Sequence, residues 1–271
     1  MSHYDNIGLK YNAVKSTPWG RFELFNFKKH IQPFLSKPQT NVLDLGCGTG
    51  FYTELLAEWG ATTVTAVDVS TAMLAGAKAR LRNSRYASMV EFVQGDGLKS
   101  TTYGPKPQSY DLIAGVWFLN YAKDFKELVC MFSTICINLK QGGVFVGVCM
   151  HPVEDLYNFI VHHNSKVWAM TGLEDIYQDR LSCDAGYMFK AVFHPPKADK
   201  FGQTIEFEAY HLKKSLYEAA ARLAGLQGKL EWQHCDFPDN LRGELGLDFD
   251  AVSWEQLKAF PQLSILTIRN I

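Results

Sequence analysis

The sequence predicts an α/β fold, in which buried parallel strands alternate with helices around one large core. Short apolar runs recur along the chain, as at 41–45, 62–67 and 144–150, and segments with helical periodicity lie between them. A glycine-rich loop directly follows the first run. This alternation is typical of a doubly wound sheet with helices on both faces.

Composition restricts the classes of partner. The chain has 271 residues, 47% of them hydrophobic, enough for one large domain or one domain with an insertion. Lys and Arg total 27 against 28 Asp and Glu, so the formal net charge is −1. Such a chain has no overall charge that would attract nucleic acid or an anionic membrane. We therefore expect a small-molecule partner, and neither nucleic acid nor a membrane.

The cysteines and the start of the chain indicate a cytoplasmic address. The six cysteines form no Cys-x-x-Cys pair, which is typical of reduced, buried thiols. The first residues lack the apolar stretch of a secretion signal, and no run approaches the roughly 18 apolar residues of a membrane span. Histidines and cysteines show no metal-ligand spacing, so we expect no metal site. The oligomeric state is left open.

The loop at 46–50 indicates a nucleotide-type cofactor site. It follows a predicted buried strand and alternates glycine with other residues, at Gly46, Gly48 and Gly50. Glycines allow sharp turns and close approach of a ligand to the backbone. A helix is expected to begin near Tyr52 and to point its free amides at the ligand. The dinucleotide fingerprint needs a small residue where Phe51 stands, which disfavours a nicotinamide site.

Asp44 completes a D-x-G-x-G-x-G motif, and over residues 42–150 the chain resembles the class I S-adenosylmethionine-dependent methyltransferases. The resemblance implies a Rossmann-like seven-stranded methyltransferase sheet, with an N-terminal lid and a cap inserted after strand five. It also implies S-adenosylmethionine as cofactor, with its methionine part on the loop that includes Cys47, and with Asp44 orienting the loop and the ammonium group. A glycine-rich turn in another α/β protein is the alternative.

Residues after the next two strands are further cofactor candidates. Asp68, followed by Val69, ends the second strand, where an acidic residue suits two ribose hydroxyls. Met73 resembles the apolar residue that packs on the adenine ring in this family, although it also suits plain core. Asp96, followed by Gly97, lies after the third strand, and its carboxylate suits the adenine amino group. A simple turn is the alternative for Asp96.

Three more cofactor contacts are predicted from the N-terminal segment and the fourth strand. If the N-terminal segment covers the cofactor, Tyr11 approaches the sulfonium and Arg21 pairs with the methionine carboxylate, because a guanidinium matches a carboxylate. A core aromatic residue and a solvated arginine are the alternatives. Gly115 ends the fourth predicted strand and is expected to adjoin the cofactor.

The segment after the fourth strand indicates a small-molecule acceptor. It lacks the [DN]-P-P-[YF] motif of enzymes that methylate amino groups of nucleobases or glutamine. Its W-x-x-N-Y-A sequence is similar to a small-molecule subset that includes the N-methyltransferase of toxoflavin biosynthesis. Trp117, Asn120 and Tyr121 are therefore predicted substrate residues, with the two aromatic rings forming a wall beside the methyl group. Ordinary packing is the alternative.

His151 follows the fifth strand at the carboxyl edge of the sheet, where ligands bind in such folds. Its imidazole is the candidate general base and a candidate substrate contact, and Tyr11 is the second candidate catalytic residue. Capping of the strand is the alternative for His151, and catalysis by positioning alone is the alternative mechanism.

Four segments are predicted: an N-terminal lid and helix (1–40), a cofactor-binding core (41–151), a substrate cap (152–212) and a C-terminal completion of the sheet (213–271). The expected reaction transfers a methyl group from S-adenosylmethionine to a nitrogen or oxygen of a heteroaromatic or secondary metabolite. The alternatives are a nicotinamide-dependent dehydrogenase and a non-catalytic S-adenosylmethionine-binding partner of another protein.

Overall fold

The computed structural model describes residues 8–163, 165–194, 204–237, 242–243 and 250–271. Residues 1–7 of the predicted lid, and 164 and 195–203 of the predicted cap, lie outside the described residues.

Two sheets are built from the strands of the described residues. The strands are β1 Asn41–Leu45, β2 Thr63–Asp68, β3 Val90–Gln94, β4 Tyr110–Val116, β5 Leu139–Met150, β6 Leu173–Arg180, β7 Gly186–Phe193, β8 Ile205–Leu212, β9 Leu230–Gln233 and β10 Leu263–Arg269. The large sheet has seven strands in the order β3-β2-β1-β4-β5-β10-β9. Strands β1 to β5 run parallel, β10 is antiparallel to β5, and β9 is antiparallel to β10. This confirms the predicted seven-stranded α/β sheet.

The helices are α1 Asn12–Lys15, α2 Pro18–Leu35, α3 Phe51–Glu58, α4 Thr71–Leu81, α5 Phe125–Asn138, α6 Leu156–His162, α7 Ser165–Ala169, α8 Lys214–Leu223 and α9 Ala251–Ala259. Ser70 caps α4, because its hydroxyl accepts a hydrogen bond from the Met73 amide at 3.2 Å. Asp250 caps α9, because its carboxylate accepts a hydrogen bond from the Ser253 amide at 2.7 Å. Across the described segments, no helix is both long and apolar enough to cross a membrane.

Apolar strands make the sheet a wall between two hydrophobic clusters. Val42 and Leu43 are neighbours on β1, yet both are fully buried, because helices cover both faces of the sheet. Val42 belongs to a cluster with residues of α2 and α3, and Leu43 to a cluster with residues of α5 and α8. The carboxyl ends of the parallel strands thus remain the edge at which a ligand site can form.

The second sheet lies between β5 and α8 in sequence and has the antiparallel order β6-β7-β8. All three of its strands fall within the segment predicted as the substrate cap. Rings from this sheet share a hydrophobic cluster with α2. Phe193 lies 5.3 Å from the Trp19 ring, edge to face. The small sheet is therefore packed against the N-terminal helix as well as attached to the large sheet.

Candidate active site

The glycine loop is held by the second strand. The amides of Gly46 and Cys47 both donate to the Val67 carbonyl at 2.9 Å. The Gly48 amide donates to Asp68 Oδ2 at 2.8 Å. Backbone φ angles of +72°, +54° and +78° at the three glycines lie in the left-handed region, which side chains rarely adopt. The alternating glycines therefore satisfy a backbone requirement.

Two of these glycines have different surroundings. A Cβ on Gly50 would lie 2.9 Å from the Ala77 Cβ, so this position needs glycine for contact between the loop and α4. A Cβ on Gly48 would meet no atom within 4 Å. Gly48 therefore borders open space at the carboxyl end of β1, where a ligand can approach the backbone.

Asp68 lies beside that space, at the end of β2. Its Oδ2 accepts from the Gly48 amide, and its Oδ1 accepts from the Ser70 amide at 2.9 Å. A carboxylate offers about four lone-pair sites, more than two backbone amides occupy. Val69, next in the chain, is 49% exposed. The position fits the predicted ribose contact and gives Asp68 a second role in holding the loop.

Asp44 lies beneath the loop and is 2% exposed. Its Oδ2 accepts a hydrogen bond from the Thr53 hydroxyl at 2.6 Å, which ties β1 to α3. Burial raises the pKa of Asp44 to about 7; the Asp68 charge also raises it and the Thr53 bond opposes the shift. Burial likewise raises the pKa of the Cys47 thiol, which keeps it protonated.

The remaining predicted cofactor residues are set in tight packing. Asp96 Oδ1 accepts from the Leu98 amide at 3.0 Å. A Cβ on Gly97 would lie 2.3 Å from the Phe118 ring, and one on Gly115 would lie 2.8 Å from the Phe145 ring. Met73 is 1% exposed. These residues surround the carboxyl edge of the sheet, and their contacts with a cofactor stay predictions.

The N-terminal segment docks on the glycine loop through a residue that sequence reasoning missed. Asn12 Oδ1 accepts from the Thr49 hydroxyl at 2.6 Å and from Arg80 Nη2 at 2.9 Å. Arg80, on α4, also donates to the Thr49 carbonyl at 3.1 Å. Arg21, the arginine expected at the site, is exposed and donates to the Ser16 carbonyl at 3.4 Å. Its pairing with a cofactor carboxylate stays a prediction.

A buried ion pair anchors the same segment to the core. Glu23 on α2 is 0% exposed and accepts from Lys15 Nζ, from the Tyr52 hydroxyl at 2.5 Å and from Trp117 Nε1 at 2.5 Å. The Lys15 ammonium lies 4.8 Å from the centre of the Tyr52 ring. Sequence reasoning missed this cluster. A signal was present, since Glu23 falls on the apolar face of the helix beside Trp19, Phe22 and Phe27.

Trp117 occupies a strained position just past β4. Its φ is +62°, which is uncommon for a residue with a side chain. Its amide donates to the Val148 carbonyl at 3.0 Å, and its ring stacks on Trp19 with centroids 5.6 Å apart. These contacts and the Glu23 bond hold the indole over the carboxyl edge of the sheet. Such strain is typical of functional positions.

A narrow aromatic cavity separates this edge from the small sheet. Tyr11, Trp117, Asn120 and Tyr121 line it, together with Trp19 and the rings Phe189, Phe193 and Phe207. The four predicted residues therefore meet at one place. The free volume is about 20 Å³, room for about one water molecule. Burial raises the pKa of Tyr11, helped by the nearby carboxylates Glu23 and Asp68.

His151, which follows β5, packs near Ser264 and Phe159. Its Nδ1 is 3.0 Å from the Ser264 hydroxyl, and its ring lies 6.0 Å from that of Phe159. It does not line the aromatic cavity. Burial lowers the pKa of His151 to about 4, with His234 adding to the shift. The imidazole is therefore neutral near pH 7, and its role as base stays a prediction.

A comparison with protein families identifies the family of the segment that contains the glycine loop. The family model described as "Methyltransferase domain" matches residues 42–143, the segment that carries the glycine loop, Asp68 and Asp96. Residues 42–143 form a methyltransferase domain. Within the described residues, no cluster of three or more His, Cys, Asp or Glu could hold a metal ion.

Curated relatives agree with the family of the domain. Over 115 residues the chain is 37% identical to malonyl-[acyl-carrier protein] O-methyltransferase of Paenibacillus sp. (strain JDR-2), covering 42% of this chain and 40% of that protein. Over 105 residues it is 35% identical to trans-aconitate 2-methyltransferase of Delftia acidovorans, covering 38% and 35%. The chain thus matches about two fifths of the length of these relatives.

Solved structures extend the likeness of the methyltransferase domain to the whole fold. A Listeria monocytogenes protein matches with a TM-score of 0.59 at 20% identity, covering 93% of this chain and 98% of the other. An S-adenosylmethionine-dependent methyltransferase of Clostridium acetobutylicum matches with 0.55 at 19% identity, covering 93% and 91%. These values show a shared class I fold. The Clostridium acetobutylicum protein is described as S-adenosylmethionine-dependent, and the open space at Gly48 beside Asp68 is where such a cofactor would fit.

Proposed function

We propose that the protein transfers the methyl group of S-adenosylmethionine to a nitrogen or oxygen of a small heteroaromatic or secondary metabolite. The position of Tyr11 carries the proposal, because this residue lines the aromatic cavity and also lies close to Asp68 beside the glycine loop. A cavity that adjoins the cofactor loop is where an acceptor must lie. The relatives include an O-methyltransferase and an N-terminal methyltransferase, so both acceptor atoms belong to the proposal.

The chain's own residues supply binding, alignment and exclusion of water. When bound, S-adenosylmethionine supplies an activated methyl group. Asp68 and the glycine loop hold the adenosine and methionine parts, while Trp117 and Tyr121 present flat apolar faces to the acceptor. Holding two reactants in line removes much of the entropic barrier, and a closed apolar cavity excludes competing water.

The N-terminal residues supply a cover for this site. Asn12 bonds to the glycine loop and Glu23 bonds to Trp117, so one segment touches the cofactor side and the acceptor side together. We assign residues 1–40 as the lid, 41–151 as the cofactor-binding core, 152–212 as the substrate cap and 213–271 as the completion of the sheet. The likeness to the toxoflavin group is part of the proposal.

Two measurements test the proposal. Isothermal titration should show binding of S-adenosylmethionine and no binding of NAD; the reverse result would make the nicotinamide alternative correct. A single-turnover reaction with methyl-labelled cofactor on a metabolite extract should then label a small molecule. Cofactor binding without any labelled product from the extract would favour the non-catalytic partner protein and contradict the proposed activity.

A further inference from the structure

Asp175 of β6 introduces a buried carboxylate into the aromatic cavity. It is 2% exposed and lines the cavity. Its Oδ2 accepts a hydrogen bond from Gln262 Nε2, and the Gln262 Oε1 in turn accepts from Trp19 Nε1. Its Oδ1 accepts no hydrogen bond from any described residue. A buried carboxylate oxygen without a donor is costly, so the position needs an explanation.

Asn120 adds a second unpaired oxygen to the same cavity. It is 1% exposed, and its Nδ2 donates to the Tyr210 carbonyl at 3.2 Å, which fixes the direction of the amide. Its Oδ1 accepts no hydrogen bond within the described ranges. Two residues that each carry an unpaired buried acceptor, one from the small sheet and one from the turn after β4, therefore line one cavity.

Both indole donors of the cavity are already used. The indole N–H of Trp19 bonds to Gln262 and that of Trp117 bonds to Glu23. Among the described residues, no Lys, Arg or His lines the cavity. His163 Nε2 lies 4.0 Å from Asp175 Oδ2, but burial lowers the pKa of His163 to about 4, so the ring is neutral near pH 7. The described lining thus combines two unpaired acceptors with aromatic faces, and the Lys15 ammonium lies outside it, 5.7 Å from the centre of the Tyr11 ring.

A ligand that completes such a cavity must bring hydrogen-bond donors. Ammonium groups are attracted both to carboxylates and to the faces of aromatic rings, whereas hydroxyl groups gain less from either. We infer that the acceptor is an amine carried on an aromatic or apolar body, with its amino group between Asp175 and Asn120. This inference rests on the proposed function and assigns the acceptor class of that same site.

The state of the Asp175 carboxyl suits an amine ligand. Burial raises the pKa of Asp175 to about 7, opposed by the Gln262 bond and assisted by the charge of Glu174. Near neutral pH this carboxyl gains or loses a proton at little cost, so it can pair with an ammonium and also receive a proton from it. A free volume of about 20 Å³ means that the cavity walls must separate when the amine binds.

A matched pair of probes tests the inference on the whole protein. 2-Phenylethylamine and 2-phenylethanol have nearly the same size and differ in the ammonium group. By isothermal titration the wild-type protein should prefer the amine by at least about tenfold, since a hydrogen bond between charged groups accounts for that ratio. Asp175→Asn should reduce the preference to under about threefold, because the amide keeps the shape and loses the charge.

Two further variants separate recognition from a general effect on folding. Glu174→Gln changes the neighbouring carboxylate, which pairs with His194 at 3.4 Å instead of lining the cavity, and should keep the wild-type preference. Asn120→Leu removes the other oxygen and should weaken amine binding by about threefold to tenfold. Thermal unfolding of each variant shows whether it is folded.

The results also separate this inference from the proposed function. Equal binding of both probes, no binding of the amine at millimolar concentration, or an amine preference that survives Asp175→Asn would each overturn the inference. Titration with S-adenosylmethionine is the independent readout, because none of these substitutions touches the glycine loop. Normal cofactor binding with no amine preference would reject the amine alone, whereas loss of cofactor binding in the wild type would reject the proposed function.

Discussion

Glu23→Gln should destabilise the protein strongly, because it replaces with an amide the buried carboxylate that accepts from three donors. Lys15 Nζ, the Tyr52 hydroxyl and Trp117 Nε1 all donate to the Glu23 carboxylate. A glutamine side chain has the same size but brings two donors of its own. At least one donor would then face another donor, and the Lys15 charge would lose its counter-charge.

The burial of the pair sets the magnitude. The side chains of Lys15 and Glu23 are 6% and 0% exposed, so water screens neither charge. Removing one partner of a buried ion pair lowers the free energy of unfolding by about 3 to 5 kcal/mol. Domains of this kind have a free energy of unfolding of about 5 to 15 kcal/mol, so Glu23→Gln should remove a large part of it.

Urea unfolding of a double-mutant cycle measures this cost. Lys15→Met should also destabilise, but the double variant should cost about 2 kcal/mol less than the sum of the two, because the unpaired charge is gone. Asp236→Asn is the control, because its partner Lys29 lies on the same helix as Glu23. It disrupts the Lys29–Asp236 pair, whose side chains are 51% and 44% exposed, and should cost under about 1 kcal/mol. Additive single effects, or equal costs for Glu23→Gln and Asp236→Asn, would refute the reasoning.

Three further outcomes are expected. Asp68→Ala should weaken S-adenosylmethionine binding by about 10- to 150-fold in isothermal titration. Glu91→Gln, on the exposed side of β3, is the control and should keep the wild-type affinity. Equal affinities of Asp68→Ala and the wild type would exclude the ribose contact. Because burial raises the pKa of Asp175 to about 7, the folded state holds a proton between about pH 4 and 7 that the unfolded state releases, and stability falls as the pH rises through this window. Asp175→Asn should therefore make the free energy of unfolding rise more steeply with pH, by about 1.4 kcal/mol per unit, and an unchanged slope in urea unfolding would contradict the shift. Asp250→Ala should lower stability by about 1 kcal/mol through the lost cap of α9, and an unchanged urea midpoint would show that the cap contributes nothing.

The large sheet and the glycine loop could be predicted because their signals are local. Each central strand is a short apolar run, and glycines with positive φ mark a loop whatever surrounds it. Asp68 could be assigned for the same reason, since it directly ends such a strand. The structure adds a role that the sequence did not show: the Asp68 carboxylate also holds the Gly48 amide.

The small sheet and the buried polar groups depend on contacts between distant residues. Strand β6 contains Glu174, Asp175, Gln178 and Asp179, a polar composition that does not predict a strand. The strand is stabilised by its antiparallel pairing with β7. Asp175 and its partner Gln262 come from separate parts of the chain. Likewise, the sequence suggested Arg21 for the site. The arginine that bonds to the glycine loop in the structure is Arg80, in the last turn of α4. No local pattern encodes these pairs.

We propose that S-adenosylmethionine binds in the open space beside Gly48. Gly48 and Gly142 are matched positions: their φ angles are +54° and +76°, and a Cβ on either would meet no atom within 4 Å. Valine at either site imposes comparable backbone strain, but only at Gly48 would the side chain fill the proposed cofactor space. Isothermal titration of the folded variants should show loss of S-adenosylmethionine binding in Gly48→Val and wild-type affinity in Gly142→Val. Wild-type affinity in Gly48→Val would contradict the assignment of the cofactor site.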